Sequence, residues 1–411
     1  MTISADETAA TGSWWMPKEA LQALFDALQG SGYTIVGPTR VDEAIVYEEL
    51  NSPDQLPRGW TDQQSAGQYR TVPSENDHYF EFNVGPQSWK QYLFPPRVTV
   101  QTATLEHDGT WVFESPPTDA PPLALLGVRA CELAAIDVQD RVFLNGPYID
   151  PDYRRRRENA FIIAVNCTVA NQNCFCDSTN TGPKCSSGFD LGFTEVEDGF
   201  VVEVASPKGR SIADQLPLHV ATEDRVHAAM MYQQRAKQQL GKALQTNQLP
   251  QVLRENLEHP HWDDVADRCL SCTNCTMVCP TCFCSSVSEV TDLVGHQVER
   301  QRQWDSCFNH SLSYTAGGTV RNDIRSRYRQ WLTHKLSSWH DQFDVSGCVG
   351  CGRCVTWCPV GIDLREEVAA LRRPAATYRS VRMKEQAATA CDLPKSAMAG
   401  EQDSLPEGAD T

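Results

Sequence analysis

The sequence predicts an α+β protein: a mixed α/β N-terminal domain with a cysteine loop over residues 1–215, a mainly helical domain over 216–372, and a disordered tail over 373–411. Three observations predict it. Apolar residues before residue 166 alternate between helical and strand periods. Residues 123–165 read as strand, helix, strand. The C-terminal half carries polar, helix-forming stretches around two copies of one cysteine motif. A chain of 411 residues is long enough for two or three cores of ordinary size.

In chain order, Leu21, Leu24, Phe25 and Leu28 recur at helical spacing, and Gly30 suits a helix stop. Strand-like runs follow at Tyr33–Val36, Ala44–Tyr47, Tyr79–Phe82, Arg97–Ala103 and Trp111–Phe113, separated by turn residues such as Pro95-Pro96 and Asp108-Gly109. Leu123–Val128 reads as a buried strand, Ala130–Phe143 as a helix and Ala160–Val165 as a second buried strand, a βαβ unit with a parallel pair. Further on, Glu223–Leu244, Ser286–Val298 and Ser326–Phe343 are predicted helices. Asp363 is placed to cap another over Leu364–Leu371. The last stretch, rich in Ala, Ser, Pro, Glu and Asp, shows no apolar period.

Composition narrows the function. Lys and Arg total 36 against 53 Asp and Glu, a net charge of −17, which repels phosphate backbones and makes nucleic acid a poor partner. No apolar run approaches the roughly 20 residues that span a bilayer. The N-terminus lacks the basic start and apolar stretch of a signal peptide, so the expected location is cytoplasmic. In a reducing cytosol, 17 cysteines gathered mostly into three groups point to metal binding rather than disulfides.

The first group is Cys269-x2-Cys272-x2-Cys275-x3-Cys279-Pro280 and the second Cys348-x2-Cys351-x2-Cys354-x3-Cys358-Pro359. This is the spacing of bacterial-type [4Fe–4S] ferredoxins, in which three closely spaced thiolates wrap one cluster and the fourth ligates the other. One cluster is therefore expected on Cys269, Cys272, Cys275 and Cys358, and the other on Cys348, Cys351, Cys354 and Cys279. Structural zinc is the rival; it usually takes paired cysteines from two separated turns, unlike four in one short run. Residues 216–372 thus read as a helical, two-cluster ferredoxin-like domain.

The third group, Cys167-x6-Cys174-x-Cys176-x8-Cys185, follows the buried strand Ala160–Val165 on a loop over 166–188. Its count and clustering suit a third [4Fe–4S] cluster, although the spacing is not a ferredoxin pattern; zinc and unligated redox thiols are the alternatives. Cys282 and Cys284 read as thiols packed beside a cluster, as substitutes for a missing ligand, or as partners of Cys307 at another site. Cys131, on a predicted apolar helix face, reads as buried and inert, and Cys391 as without a role. Arg154–Arg157 reads as a solvated face or as a surface for an acidic partner or anionic cofactor. Trp331 and Trp339, on a predicted helix with His334 and His340, read either as core or as a docking surface. Neither a P-loop nor a dinucleotide-binding glycine motif is visible.

The blocks Trp304-Asp305-Ser306-Cys307-Phe308, Cys279-Pro280-Thr281-Cys282-Phe283-Cys284 and Gly347–Asp363 resemble the iron–sulfur beta subunit of cytoplasmic sulfhydrogenase-type NiFe hydrogenases. The corresponding iron–sulfur protein of anaerobic sulfite reductase is similar. Gly127–Ile136 and Cys174-Phe175-Cys176-Asp177-Ser178 extend the likeness, with Ala130-Cys131-Glu132 standing where the family usually has Pro-Cys-Asp. The resemblance runs from about Tyr79 to Asp363. It implies an electron-transfer subunit, not catalytic alone, between a flavin subunit handling NAD(P)H and a NiFe hydrogenase or sirohaem sulfite reductase partner. The alternatives are a self-contained flavin- or cluster-dependent sulfur or sulfite reductase and a zinc-stapled interaction module.

Overall fold

The computed structural model describes residues 12–117 and 119–378. Most of the expected tail, and Cys391 with it, lies outside the described residues.

The chain is α+β, as expected. Its centre is an eight-stranded sheet in the order His219–Val220, Trp14–Pro17, Gly199–Val204, Leu191–Val196, Phe161–Val165, Leu123–Val128, Thr34–Val41, Ala44–Glu49. The four strands Thr34–Val41, Leu123–Val128, Phe161–Val165 and Leu191–Val196 pair in parallel, and the flanking pairs are antiparallel. Leu123–Val128 and Phe161–Val165 are apolar throughout because both sheet faces are covered. Ala124, Leu126, Phe161, Ile163 and Val165 face the helix Leu21–Gly30; Leu125, Val128, Ile162 and Ala164 face the layer that includes Ala130–Leu144 and Pro151–Asn159. Among the described residues no helix is long and apolar enough to cross a membrane.

Four predicted elements come out differently. Ser286–Val298 is not a helix but most of an antiparallel hairpin, Ser285–Thr291 with Gln297–Trp304. Its second strand pairs with Arg97–Leu105 in a four-stranded sheet, so partners some 200 residues away in sequence override its local helix preference (Gln297 opposite Thr104). Tyr79–Phe82 is not a strand. Its backbone groups are taken by side chains instead: Glu195 accepts from the N–H of Tyr79 and Phe80 (both 2.8 Å), and Arg129 donates to the carbonyls of Phe80 and Phe82 (2.8 and 3.0 Å). The helix from Glu223 ends at Gln239, and the Ser326–Phe343 stretch is helical but passes through a π-turn at His334–Ser338.

The two halves of the chain meet at a buried charge network. Glu132, in the first turn of the Ala130–Leu144 helix, accepts from Tyr47 Oη (2.9 Å), Trp89 Nε1 (3.0 Å) and Arg353 Nη2 (2.6 Å). Arg353 also donates to the carbonyls of Gly85 and Gln87. Both charged side chains are fully enclosed, at 0 and 1 % exposure. A buried ion pair is costly to break, because the surviving charge has no water to turn to. Glu132→Ala is expected to destabilise the fold by about 3–5 kcal/mol, against about 1 kcal/mol for Tyr47→Phe, which removes one hydrogen bond from a still-paired carboxylate. Chemical denaturation of both variants checks the ordering, and equal losses would contradict it.

Candidate iron–sulfur centres

The two ferredoxin-type motifs fold alike. In each, the residues two and four places after the first cysteine have left-handed backbone: Ser271 and Thr273 (φ 54° and 70°), Gly350 and Gly352 (φ 63° and 77°). Each then enters a one-turn helix, Asn274–Met277 or Arg353–Thr356, and the two helices pack together. The successive turns direct backbone N–H groups inward: Ser271 N–H donates to Cys269 Sγ at 3.4 Å, and Ile362 N–H to Cys358 Sγ at 3.3 Å.

Cys269, Cys272, Cys275 and Cys358 line one cavity, with Cys354, Phe308, Tyr328, Trp331 and Leu364 also on its wall. Cys279, from the first motif, instead lies beside Cys348, Cys351 and Cys354. Burial pushes most of these thiols up, Cys348 to about 12, so as bare thiols they resist ionisation. Cys279 is the exception. Its thiol is held well below the usual range, first by a hydrogen bond from the Cys282 thiol and, against burial, by the Lys335 ammonium. Lys335, itself buried, donates to Cys279 Sγ (3.3 Å), Thr281 Oγ1 (3.0 Å) and the Gly347 carbonyl (3.0 Å).

The loop after Phe161–Val165 gathers the third group. Cys174, Cys176 and Cys185 each lie close enough to Cys167 to feel its charge. Asn166 and Asn171 shape the loop, accepting from the N–H of Cys185 (2.7 Å) and of Cys174 (3.2 Å). Burial raises Cys174 to about 12, and the Arg129 guanidinium beside Cys167 opposes that rise there.

This loop is seated on the second motif. Phe175 N–H donates to the Gly350 carbonyl at 2.9 Å, and Cys176 is close to Cys351. Glycine is required at the seat for two reasons at once. The backbone is left-handed, and a Cβ on Gly350 would lie 2.6 Å from the Cys176 nitrogen, one on Gly352 2.5 Å from the Asn173 carbonyl. The first motif carries Ser271 and Thr273 at the equivalent places.

Sequence reasoning missed the position of Cys131. It packs with Cys176, Val349 and Cys351, between the third group and the second motif, and a lone cysteine in a helix pattern gives no signal of that. Cys282 adjoins Cys279, and Cys284 pairs with Cys307. Trp331 and Trp339 are buried at 5 and 2 % exposure, so they fill the core rather than offer a docking surface. In the arginine run, Arg157 pairs with Asp140 at 3.1 Å, while Arg154 and Arg155 are exposed.

Among the described residues, no three His, Cys, Asp or Glu side chains converge closely enough for a single metal ion. The first thiol set instead rings a cavity, the arrangement a polynuclear iron–sulfur cluster needs, and an all-thiolate donor set suits iron. Gly350→Ala is expected to cost about 2–4 kcal/mol, from left-handed strain plus overpacking. Gly109→Ala, at φ 86° in an open turn with nothing within 4 Å, should cost only about 1–2 kcal/mol. Thermal unfolding of the two variants checks this, and equal shifts would remove the seating role of Gly350.

Residues 268–362 match the family model of a 4Fe-4S dicluster domain. The chain is 30% identical over 348 residues to sulfhydrogenase 2 subunit beta of Pyrococcus furiosus, covering 84% of this chain and 94% of that protein. No solved structure matches. With two interlocked cysteine turns and a likeness that extends across the N-terminal sheet as well, the chain belongs to the sulfhydrogenase beta-subunit family of iron–sulfur proteins.

Proposed function

We propose that the chain is the electron-relay subunit of a multi-subunit oxidoreductase, placed between a flavin subunit that handles NAD(P)H and a NiFe hydrogenase or sulfite reductase partner. One [4Fe–4S] cluster is held by Cys269, Cys272, Cys275 and Cys358, a second by Cys348, Cys351, Cys354 and Cys279, and a third by Cys167, Cys174, Cys176 and Cys185. Each such cluster, when bound, accepts and releases one electron at a time.

The observation that carries this reading is the unbroken file of thiol sets. Cys176 of the third set neighbours Cys351 of the second, and Cys354 of the second neighbours Cys275 of the first. A file without gaps suits transfer through the chain rather than chemistry at one point. The protein's own residues insulate it. Phe308, Tyr328 and Trp331 give the first set a buried apolar wall, and Val349 and Phe175 pack around the second and third. Lys335 and Arg353 place positive charge at Cys279 and Cys351, which favours thiolate there and a more reduced centre. Cys272 is exposed and brings one end of the file to the surface.

Anaerobically prepared chain should carry about twelve irons if all three sets bind cubanes, and about eight if only the ferredoxin-type motifs do; a fully loaded count near eight removes the third set. Cys279→Ser should damage the paramagnetic signal assigned to Cys348, Cys351 and Cys354 and spare the other. The reverse pattern of loss would show that the fourth ligands are not exchanged. The loaded single chain should not reduce an acceptor dye with NADH or NADPH; robust turnover without added flavoprotein would favour a self-contained enzyme.

A further inference from the structure

Three cysteines outside the file, Cys282, Cys284 and Cys307, sit where the hairpin Ser285–Thr291/Gln297–Trp304 leaves the body of the protein. The hairpin register brings two of them together. Ser285 is opposite Trp304, and one step beyond that pair Asp305 N–H donates to the Cys284 carbonyl at 2.8 Å. The chain then turns, with Phe308 N–H donating to Ser306 Oγ at 3.1 Å and Asn309 N–H to the Ser306 carbonyl at 2.8 Å. This turn folds Cys307 back until its thiol hydrogen-bonds Cys284.

The two thiols meet each other at the base of the hairpin, and both are partly exposed. Yet the pair adjoins the file, with Cys307 near Cys275 and Cys284 near Lys335. The backbone around it is fixed on both sides. Lys90 Nζ donates to the Cys282 carbonyl (3.1 Å) and lies 3.8 Å over the Trp304 ring, while Trp304 Nε1 donates to the Phe94 carbonyl (2.9 Å).

We infer that Cys284 and Cys307 form a reversible dithiol–disulfide pair, a two-electron store at the base of the hairpin. On oxidation the two S–H bonds break and one S–S bond forms. Two protons go to water, and two electrons leave singly to oxidised iron–sulfur centres, the acceptor class proposed for the adjacent sets. In that acceptor alone the inference rests on the relay reading. The thiol contact and the antiparallel backbone that presses the two residues together mean that closing the bond asks for little rearrangement.

The test uses the full chain prepared anaerobically with its iron. One half is oxidised with an indicator dye and the other reduced with dithionite; both are then denatured in an alkylating agent, and the unreduced peptides are mapped by mass spectrometry. The expected result is a Cys284–Cys307 linked peptide in the oxidised half and two alkylated thiols in the reduced half. Reductive titration of the native chain should take up about two more electrons than the Cys284→Ser/Cys307→Ser variant, with unchanged cluster absorbance. Free thiols in both halves would overturn the inference, as would loss of iron in the variant, which would make these residues metal ligands. Missing cluster absorbance in the native chain would instead count against the relay reading, and the peptide map would still decide the pair.

Discussion

The pairing of Glu132 with Arg353 is the contact on which the rest of the arrangement depends. Arg353 belongs to the second cysteine motif, one residue before Cys354, and Glu132 to the helix that follows the central parallel strand. Their bond at 2.6 Å fixes a one-turn cysteine helix to the helix that follows the strand Leu123–Val128. Neither charge is tolerable alone at that depth, so the two halves of the protein are obliged to meet in one register. The remaining donors of Arg353 take the carbonyls of Gly85 and Gln87, which brings the irregular strap after Tyr79 into the same joint.

That strap shows how irregular backbone is kept inside a protein. A buried loop cannot leave its amides bare. Here Glu195, Arg129, Asp62 and Arg353 bond the backbone from Tyr79 to Gln87 at intervals, in place of a neighbouring strand. Arg129 has a further effect. The guanidinium that closes the strap also lies against Cys167, so the third thiol group inherits its positive charge from the same side chain that orders the loop beside it.

The thiol groups are crowded without being interchangeable. The first set opens on a cavity with apolar walls and an exposed Cys272. The second meets Lys335 and Arg353. The third is seated on the second through Gly350 and Gly352. Charge, burial and hydrogen bonds to sulfur are what tune such centres, and they differ from set to set along the file.

The sequence by itself was enough for the α+β class, the parallel pair on either side of residues 130–143, and the two ferredoxin-type motifs. Each of these rests on local spacing: apolar runs for covered strands, Cys-x2-Cys-x2-Cys-x3-Cys-Pro for the turns. Local propensity misled at Ser286–Val298, where Arg97–Leu105 supplies a strand partner that no window of sequence contains. It misled again at Tyr79–Phe82, where an apolar stretch is held by side chains from distant residues rather than by a neighbouring strand. Tertiary packing, not local spacing, puts Cys131 between Cys176 and Cys351, buries Trp331 and Trp339, and brings Cys284 to Cys307. All three depend on which surfaces of distant segments are pressed together, and that is set by the buried charge joint and the hairpin register, whose partners are separated by scores or hundreds of residues along the chain.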